Sequence, residues 1–373
     1  MVAVTSSYPS TSANYYNAAQ HLAATLATTL ASTPTGSTAP ADSAATSVTL
    51  SETALAALAA ERDFAQVVAD AQAKLSTILT DANRSTPIAD GKLAVDFGTI
   101  DHRELFAIGK DPSFSAEEQE AAGLEMQRRF EAALAGPAGV AAVTGNYTSL
   151  YRAAAAHLDA LGPEEKAEND WIAGRAAITD ALKQLQLDPK VMPVTDEADP
   201  VSLYLALRDA NETIKPPAIE DVADSARKTL NQLYTDAYNA GKIPTFNKNT
   251  TVGIFIDMSK FDSRSLSAIA LNTGNQFAAE EASQAKSALR QKSGAALVAG
   301  FQSAAKSSDP TAFSQNIIAI FESLSPEERS AAGWSDAFYQ AAVDSYVATS
   351  KLTQLFAQAG GDTTGFMSWM GSR

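Results

Sequence analysis

At 373 residues, 45% of them hydrophobic, the chain is long enough for two domains or one large bilobed one and can fill a core. A formal charge of −15 argues against a phosphate-binding surface built on lysine and arginine, and it disfavours anionic membranes. The absence of cysteine removes disulfides, thiolate nucleophiles and Cys-ligated zinc, and leaves His21, His102 and His157 as the only imidazoles.

Residues 1–50 read as a low-complexity arm, because through about Ser47 the composition is Ser, Thr, Ala and Pro with Asp42 as the only charge. One helical element interrupts it, where Leu22, Leu26 and Leu30 recur every fourth residue as a narrow stripe that needs a surface to dock on. No lysine or arginine precedes Arg62, so the basic n-region of a secretory signal peptide is missing and a Sec route is not expected. The uncharged Ser/Thr/Asn-rich start of this cysteine-free chain resembles substrates of type III or flagellar export. SVTLSETALAAL, Ser47 to Leu58, resembles short segments of flagellum-associated proteins. These resemblances imply an exported, appendage-associated protein; without them the cytoplasm is the expected compartment. No stretch supplies the roughly 20 apolar residues that cross a bilayer.

Residues 51–186 form the first of two expected helical units. A helix starting near Ser51 carries Leu55, Leu58, Phe64, Val67, Val68, Ala71, Leu75, Ile78 and Ala82, mostly at three- and four-residue steps. A short extended run, Lys92 to Val95, leads into DFGTIDHRELFAIGKDPSFSAEE, Asp96 to Glu118. There Asp101 is the expected N-cap of the next helix with Glu104 at capping-box spacing, and Ser115 with Glu118 spells a second box. A further helix bears Leu150, Ala154, Leu158 and Leu161. The last one opens with Pro163 at N1, followed by two glutamates that suit the positive end of the helix dipole, and runs on through Trp171, Ile178, Leu182 and Leu185. Residues 187–217, with prolines at 189, 193, 200, 216 and 217, are a connector holding a short helix from about Val201 to Ala210.

Residues 218–350 repeat the plan. DMSKFDSRSLSAIALNTGNQFAAEE, Asp257 to Glu281, lies over the earlier motif with Asp96 on Asp257, Asp101 on Asp262, Arg103 on Arg264, Leu105 on Leu266 and Ile108 on Ile269, a constant offset of 161. Two extra residues in the later loop change the offset to 163, which holds from Phe114 on Phe277 to Trp171 on Trp334. Upstream, Val67 to Ala82 lies over Asp221 to Ala237 once one residue is inserted in the later copy, with a stripe of Ile219, Val222, Ala226, Leu230, Leu233 and Ala237. The chain thus reads as a tandem duplication, with both tryptophans as core anchors. Since a lone short strand is not stable, the runs Lys92 to Val95 and Val252 to Ile256 are expected to pair with each other across the units. Residues 351–373 are a tail in which Phe366, Met367, Trp369 and Met370 follow a Gly-Gly break, expected to tuck onto its own fold.

Asp96, Asp101, Glu118, Asp257, Asp262 and Glu281 are the candidate metal-ligating or acid–base residues. The outline of each loop resembles a degenerate EF-hand. With Phe277 at the eighth position the twelfth is Glu281, as calcium wants, but the first is Ala270, the fifth Gly274 and the sixth Asn275. The earlier loop gives Ala107, Asp111 and Pro112 at those places, with Glu118 last. Helix capping, with Arg103 and Arg264 as salt partners, accounts for the aspartates more simply than a cation does. His102 matches Ser263 and His157 matches Ile320, so neither histidine belongs to a common plan, and His157 is expected to face packing. G-x-S-x-G, the P-loop, a dinucleotide-binding glycine run and H-E-x-x-H are all missing from the sequence.

The expectation is an all-α protein of two tandem pseudo-equivalent multi-helix units, with a small two-stranded β pairing between them and a mobile N-terminal arm. Its expected role is a non-enzymatic structural or protein-binding component that takes a protein partner or self-assembles, with no cofactor, no nucleic acid and no membrane span. The competing expectation is a carboxylate-based hydrolase or divalent-metal-binding protein with its site between the units. Carboxylates converging in a roofed pocket favour the second reading, and outward caps favour the first.

Overall fold

The computed structural model describes residues 62–195 and 198–358. The expected arm, the expected helix start at Ser51 and the cluster from Phe366 to Met370 lie outside the described residues. Within them the protein is mostly helical. The first half holds α1 (Phe64–Asp81), strands β1 (Ile88–Ala89) and β2 (Lys92–Leu93), α2 (His102–Lys110), α3 (Ala116–Thr144), α4 (Thr148–Asp159), α5 (Pro163–Lys166) and α6 (Asn169–Leu187). The connector carries α7 (Pro200–Asp209). The second half follows in the same order: α8 (Ile219–Asn239), β3 (Ile243–Thr245), β4 (Gly253–Phe255), α9 (Ser263–Ala270), α10 (Ala279–Lys306), α11 (Ala312–Ser323), α12 (Pro326–Ala332) and α13 (Asp336–Gln358). Among the described residues no helix is long and apolar enough to cross a membrane.

The strands do not join the halves, contrary to expectation. β1 pairs antiparallel with β2, Ile88 opposite Leu93, through Asp90 and Gly91, both at positive φ (51° and 69°). Asp-Gly is the sequence signature of that hairpin turn. β3 pairs parallel with β4, Ile243 opposite Gly253. Each run thus finds a partner a few residues away in the chain, where closing the loop costs less entropy than spanning the two halves.

Two further expectations change. The single helix expected from Pro163 onward is two: α5 stops at Lys166, and the extended Glu168 caps a new start. Likewise α12 ends at Gly333, in the left-handed region at φ 77°, before α13 begins. The burial register also shifts. Ala177, Ile178 and Ala181 of α6 face the core as Ala342, Val343 and Tyr346 of α13 do, an offset of 165 in place of 163. Upstream no insertion is needed, because buried Val67, Ala71 and Leu75 match buried Val222, Ala226 and Leu230 at a constant 155.

Three apolar clusters hold the fold. The first joins α1, β2, α2 and the start of α3 through Leu75, Phe97, Leu105 and Ile108; the second joins α3, α4, α6 and α7 through Leu134, Leu150, Ile178 and Val201. The third fills the second half around Leu230, Leu266, Ile269 and Ile318 and takes Val140 from α3. Each such fully buried aliphatic side chain contributes about 1.5–3 kcal/mol. Of the two expected anchors, Trp334 is buried in the third cluster, whereas Trp171 is half-buried at the edge of the second and donates Nε1–H to the Leu158 carbonyl at 2.9 Å.

α3 therefore belongs to all three clusters, and its far end lies against α11 of the other half. Glycine makes that approach possible. A Cβ on Gly136 would stand 2.6 Å from the Ala319 carbonyl oxygen, and one on Gly139 would stand 2.2 Å from Glu322 Cγ.

Candidate functional site

Five of the six candidate acids are engaged at helix starts and in ion pairs. Asp101 caps α2 by accepting the Glu104 N–H at 2.9 Å, while Glu104 accepts the Asp101 N–H at 2.8 Å. Its partner is Arg62, at 2.7 Å, and not the expected Arg103. Glu118 accepts the Ser115 N–H at 2.7 Å and closes the second expected box. Asp262 caps α9, taking the Ser265 N–H at 2.8 Å and its hydroxyl at 2.6 Å. Asp257 takes the Ser259 hydroxyl at 2.6 Å and N–H at 3.0 Å, and these bonds hold its carboxyl below the ordinary range. Glu281 accepts the Ala278 N–H at 2.7 Å, Arg227 Nη1 at 2.8 Å and the Tyr234 hydroxyl at 2.6 Å. Burial pushes its carboxyl up, but those donors outweigh it and the net shift is downward. Both glutamates at the twelfth loop position thus turn back onto their own helix starts. Among the described residues no three His, Asp or Glu side chains gather in a metal-holding group.

The arginines of the two motifs take other partners at matching places. Arg103 donates Nη1–H to the Arg62 carbonyl at 2.7 Å and Nε–H to Glu164 at 2.8 Å. Arg264 donates Nη2–H to the Pro217 carbonyl at 2.7 Å, and its Nη1 stands 3.9 Å from Glu327. Glu164 and Glu327 are the first of the paired glutamates that open α5 and α12.

Asp96 is the exception among the acids. A cleft of about 1190 Å³ opens between the halves, walled by α1, α3 and α8 and by the residues leading into α9. Asp96 and Asp262 both line it. Asp96 accepts the Gly98 N–H at 2.9 Å, but burial together with the negative charges of Asp262 and Glu125 pushes its pKa up to about 6. The carboxylates that approach across the halves are therefore Asp96 and Asp262, not the sequence-equivalent Asp96 and Asp257. What the cleft offers chemically is one carboxyl that changes charge near pH 6 beside a second acid.

Sequence reading missed the charges beneath it. Glu125 is buried and bound by Arg128 Nε at 2.7 Å and by Arg129 Nε. Burial raises its carboxyl, yet the two guanidiniums prevail and hold it at about 2. Arg129 reaches on to the Phe97 and Ile100 carbonyls at 2.8 and 3.1 Å, and in the second half Lys292 donates to the Phe261 carbonyl at 2.7 Å. The signal was available in LEMQRRF, Leu124 to Phe130, where an acid with basic residues three and four places on interrupts an apolar run. Glu165 and Glu328 were also missed as buried groups. Each caps its own helix start, accepting the Gly162 N–H at 3.0 Å or the Ser325 N–H at 2.9 Å, and each leaves its other oxygen without a hydrogen bond. His102 lies edge-on to His157 at 5.7 Å, and burial, His157 and Arg129 pull its pKa well below the usual value. His157 is buried against Phe130, as its apolar counterpart implied. No protein-family model, no curated protein and no solved structure matches the chain.

Proposed function

We propose that this protein is a non-enzymatic structural or protein-binding component, built on a duplicated helical unit and working through an apolar patch on its second half. One observation carries the reading: Val298 and Phe301 of α10 are 56% and 61% exposed, and the Phe301 ring meets that of Phe313 edge-on at 5.8 Å. Grouped exposed aromatics of this kind mark interaction surfaces. The engagement of five candidate acids in caps and ion pairs favours it as well. The duplicated unit draws support from the recurring arginine contacts and from the repeated order of elements. The partner is another protein or a second copy of the chain, and the exported setting rests on the sequence of residues 1–50.

The test compares the full chain with its Val298→Asp/Phe301→Asp variant by light scattering and by capture of partners from the host. Loss of self-association or of one specific partner by about tenfold or more, with helical content unchanged, is the expected result. Unchanged association would remove the proposal. Equal amounts in culture supernatant with and without residues 1–50 would remove the exported setting.

A second reading, a carboxylate-based hydrolase or divalent-metal-binding protein with its site between the units, draws on Asp96 and Asp262 sharing the cleft. Turnover or cation binding abolished by Asp96→Asn would favour it over the first.

A further inference from the structure

The two long helices that wall the cleft, α1 and α8, belong to different halves, and the extensive packing between the halves lies elsewhere, where the far end of α3 meets α11. α3 serves both places. It lines the cleft through residues from Glu125 to Ala133 and comes against α11 from Gly136 onward, so the packed contact begins one turn beyond the cleft wall. Pro137 stands at that boundary. Having no N–H, it leaves the Ala133 carbonyl without its helical donor, which makes this turn the place where α3 bends most easily.

One side chain ties the two walls together. Lys228 of α8 donates Nζ–H to the carbonyl of Asp81, the last residue of α1, which a helix end leaves without an internal donor. The bond is exposed to water, so it is weak and breaks readily. Asp96 is faced by Glu125, Arg128 and Arg129 of α3, which share its half and travel with it. Lys74 of α1 also lines the cleft but is held by Glu104 at 2.7 Å. Of the charges that line the cleft just before and at the start of α9, Lys260, Asp262 and Arg264, it is Asp262 that acts on Asp96, with Lys292 of α10 close to Asp262. We propose that the halves open and close this cleft about Pro137, with Lys228 as the latch and the repulsion between ionised Asp96 and Asp262 as the force that opens it. Neither the apolar patch on α10 nor the duplication enters into it.

The direction follows from linkage. Opening hydrates Asp96 and takes it away from Asp262, which returns its carboxyl from about 6 toward the ordinary 3.8. A carboxyl whose pKa is raised in the closed form stabilises that form fully below 3.8, and the stabilisation is lost as pH rises through about 6. Between pH 5 and pH 7.5 the ratio of closed to open molecules therefore falls by up to about tenfold.

The cysteine-free chain makes the test clean. Spin labels go on the full chain at Ser76→Cys and Asn239→Cys, exposed positions on α1 and α8 outside the cleft lining, and pulsed electron spin resonance reads the distance between them. The distribution is expected to shift toward longer distances from pH 5 to pH 7.5. In Asp96→Asn, which keeps an acceptor for the Gly98 N–H, the distances are expected to stay at their pH 5 values throughout. In Lys228→Ala the longer distances are expected to gain at both pH values. Identical distributions at pH 5 and pH 7.5 in the labelled parent chain would overturn the opening, and a shift that persists in Asp96→Asn would take it away from this carboxyl. Parent distances in Lys228→Ala would remove the latch.

Discussion

At Gly162 and Ser325 the chain makes the same local choice: a proline opens the helix, and the glutamate two places later turns back to take the preceding backbone N–H. The cap is legible in the letters. The burial of the carboxyl is not, because it depends on α2 and α9 packing against these short helices from far away in the chain. Burial first, then the neighbouring negative charges of Glu164 and Asp101, push Glu165 up to about 8; burial, with Asp262 beyond it, takes Glu328 to about 7. An acid whose folded pKa is raised contributes stability that is fully present below its unfolded pKa, about 4.5, and is lost as pH rises through the folded value. Each group therefore lowers the unfolding free energy by up to about 1.4 kcal/mol per pH unit inside its window. Glu125, held at about 2, acts oppositely and its contribution is lost only as pH falls below the ordinary carboxylate range. Urea midpoints are expected to decline from about pH 6.5 to pH 8, above the ranges in which the raised Asp96 and the lowered His102 act, and to flatten there in Glu165→Gln/Glu328→Gln, which keeps the capping acceptor but has no proton to lose. A slope that survives the double substitution would mean that other groups set it.

Among the elements, apolar periodicity marks α1, α4 and α8, while capping letters and Pro163 mark the starts of α2, α3 and α5; periodicity errs where register depends on the partner. Matching letters such as Lys74 with Lys228 puts an insertion between the stripes of α1 and α8; the buried faces, Val67 with Val222 and Leu75 with Leu230, need none. The packing of α3 on α11 was invisible for a similar reason. AGPAG, Ala135 to Gly139, reads as a helix breaker, yet it lies inside a 29-residue helix with Pro137 in its interior. Its glycines are explained only by what crosses them. Gly136→Ala drives a methyl against backbone at Ala319, and Gly139→Ala drives one to 2.2 Å from Glu322 Cγ and 2.8 Å from Glu322 Cβ, an atom that no rotamer change moves. Each is expected to destabilise by about 1–3 kcal/mol, measured by chemical denaturation. A neutral outcome at both would show that the helices part without penalty.

For the whole molecule, the order of elements was readable from the sequence, but the way the halves meet was not. Offsets pair equivalent residues, Asp96 with Asp257, and carry no information about which unlike residues face each other, such as Asp96 and Asp262 in the cleft. The duplication itself can be tested through the arginines. Arg103 and Arg264 are both largely buried, with side chains 8% and 11% exposed, and each fastens the carbonyl preceding the first long helix of its half. The Arg103 contact to Glu164 is direct and the Arg264 contact to Glu327 is longer, so the carbonyl bond is the shared part. Removing either guanidinium strands a part-buried carbonyl and weakens a partly exposed ion pair, which costs about 1–3 kcal/mol. If both halves descend from one plan, Arg103→Ala and Arg264→Ala should cost the same within a factor of about two, with Arg103→Ala the larger. Lying in separate halves with separate partners, the two losses should add to within about 0.5 kcal/mol in the double variant. A neutral outcome at one site beside a large loss at the other would mean that the matching contacts do unlike jobs, and that the resemblance between the halves is one of helix order alone.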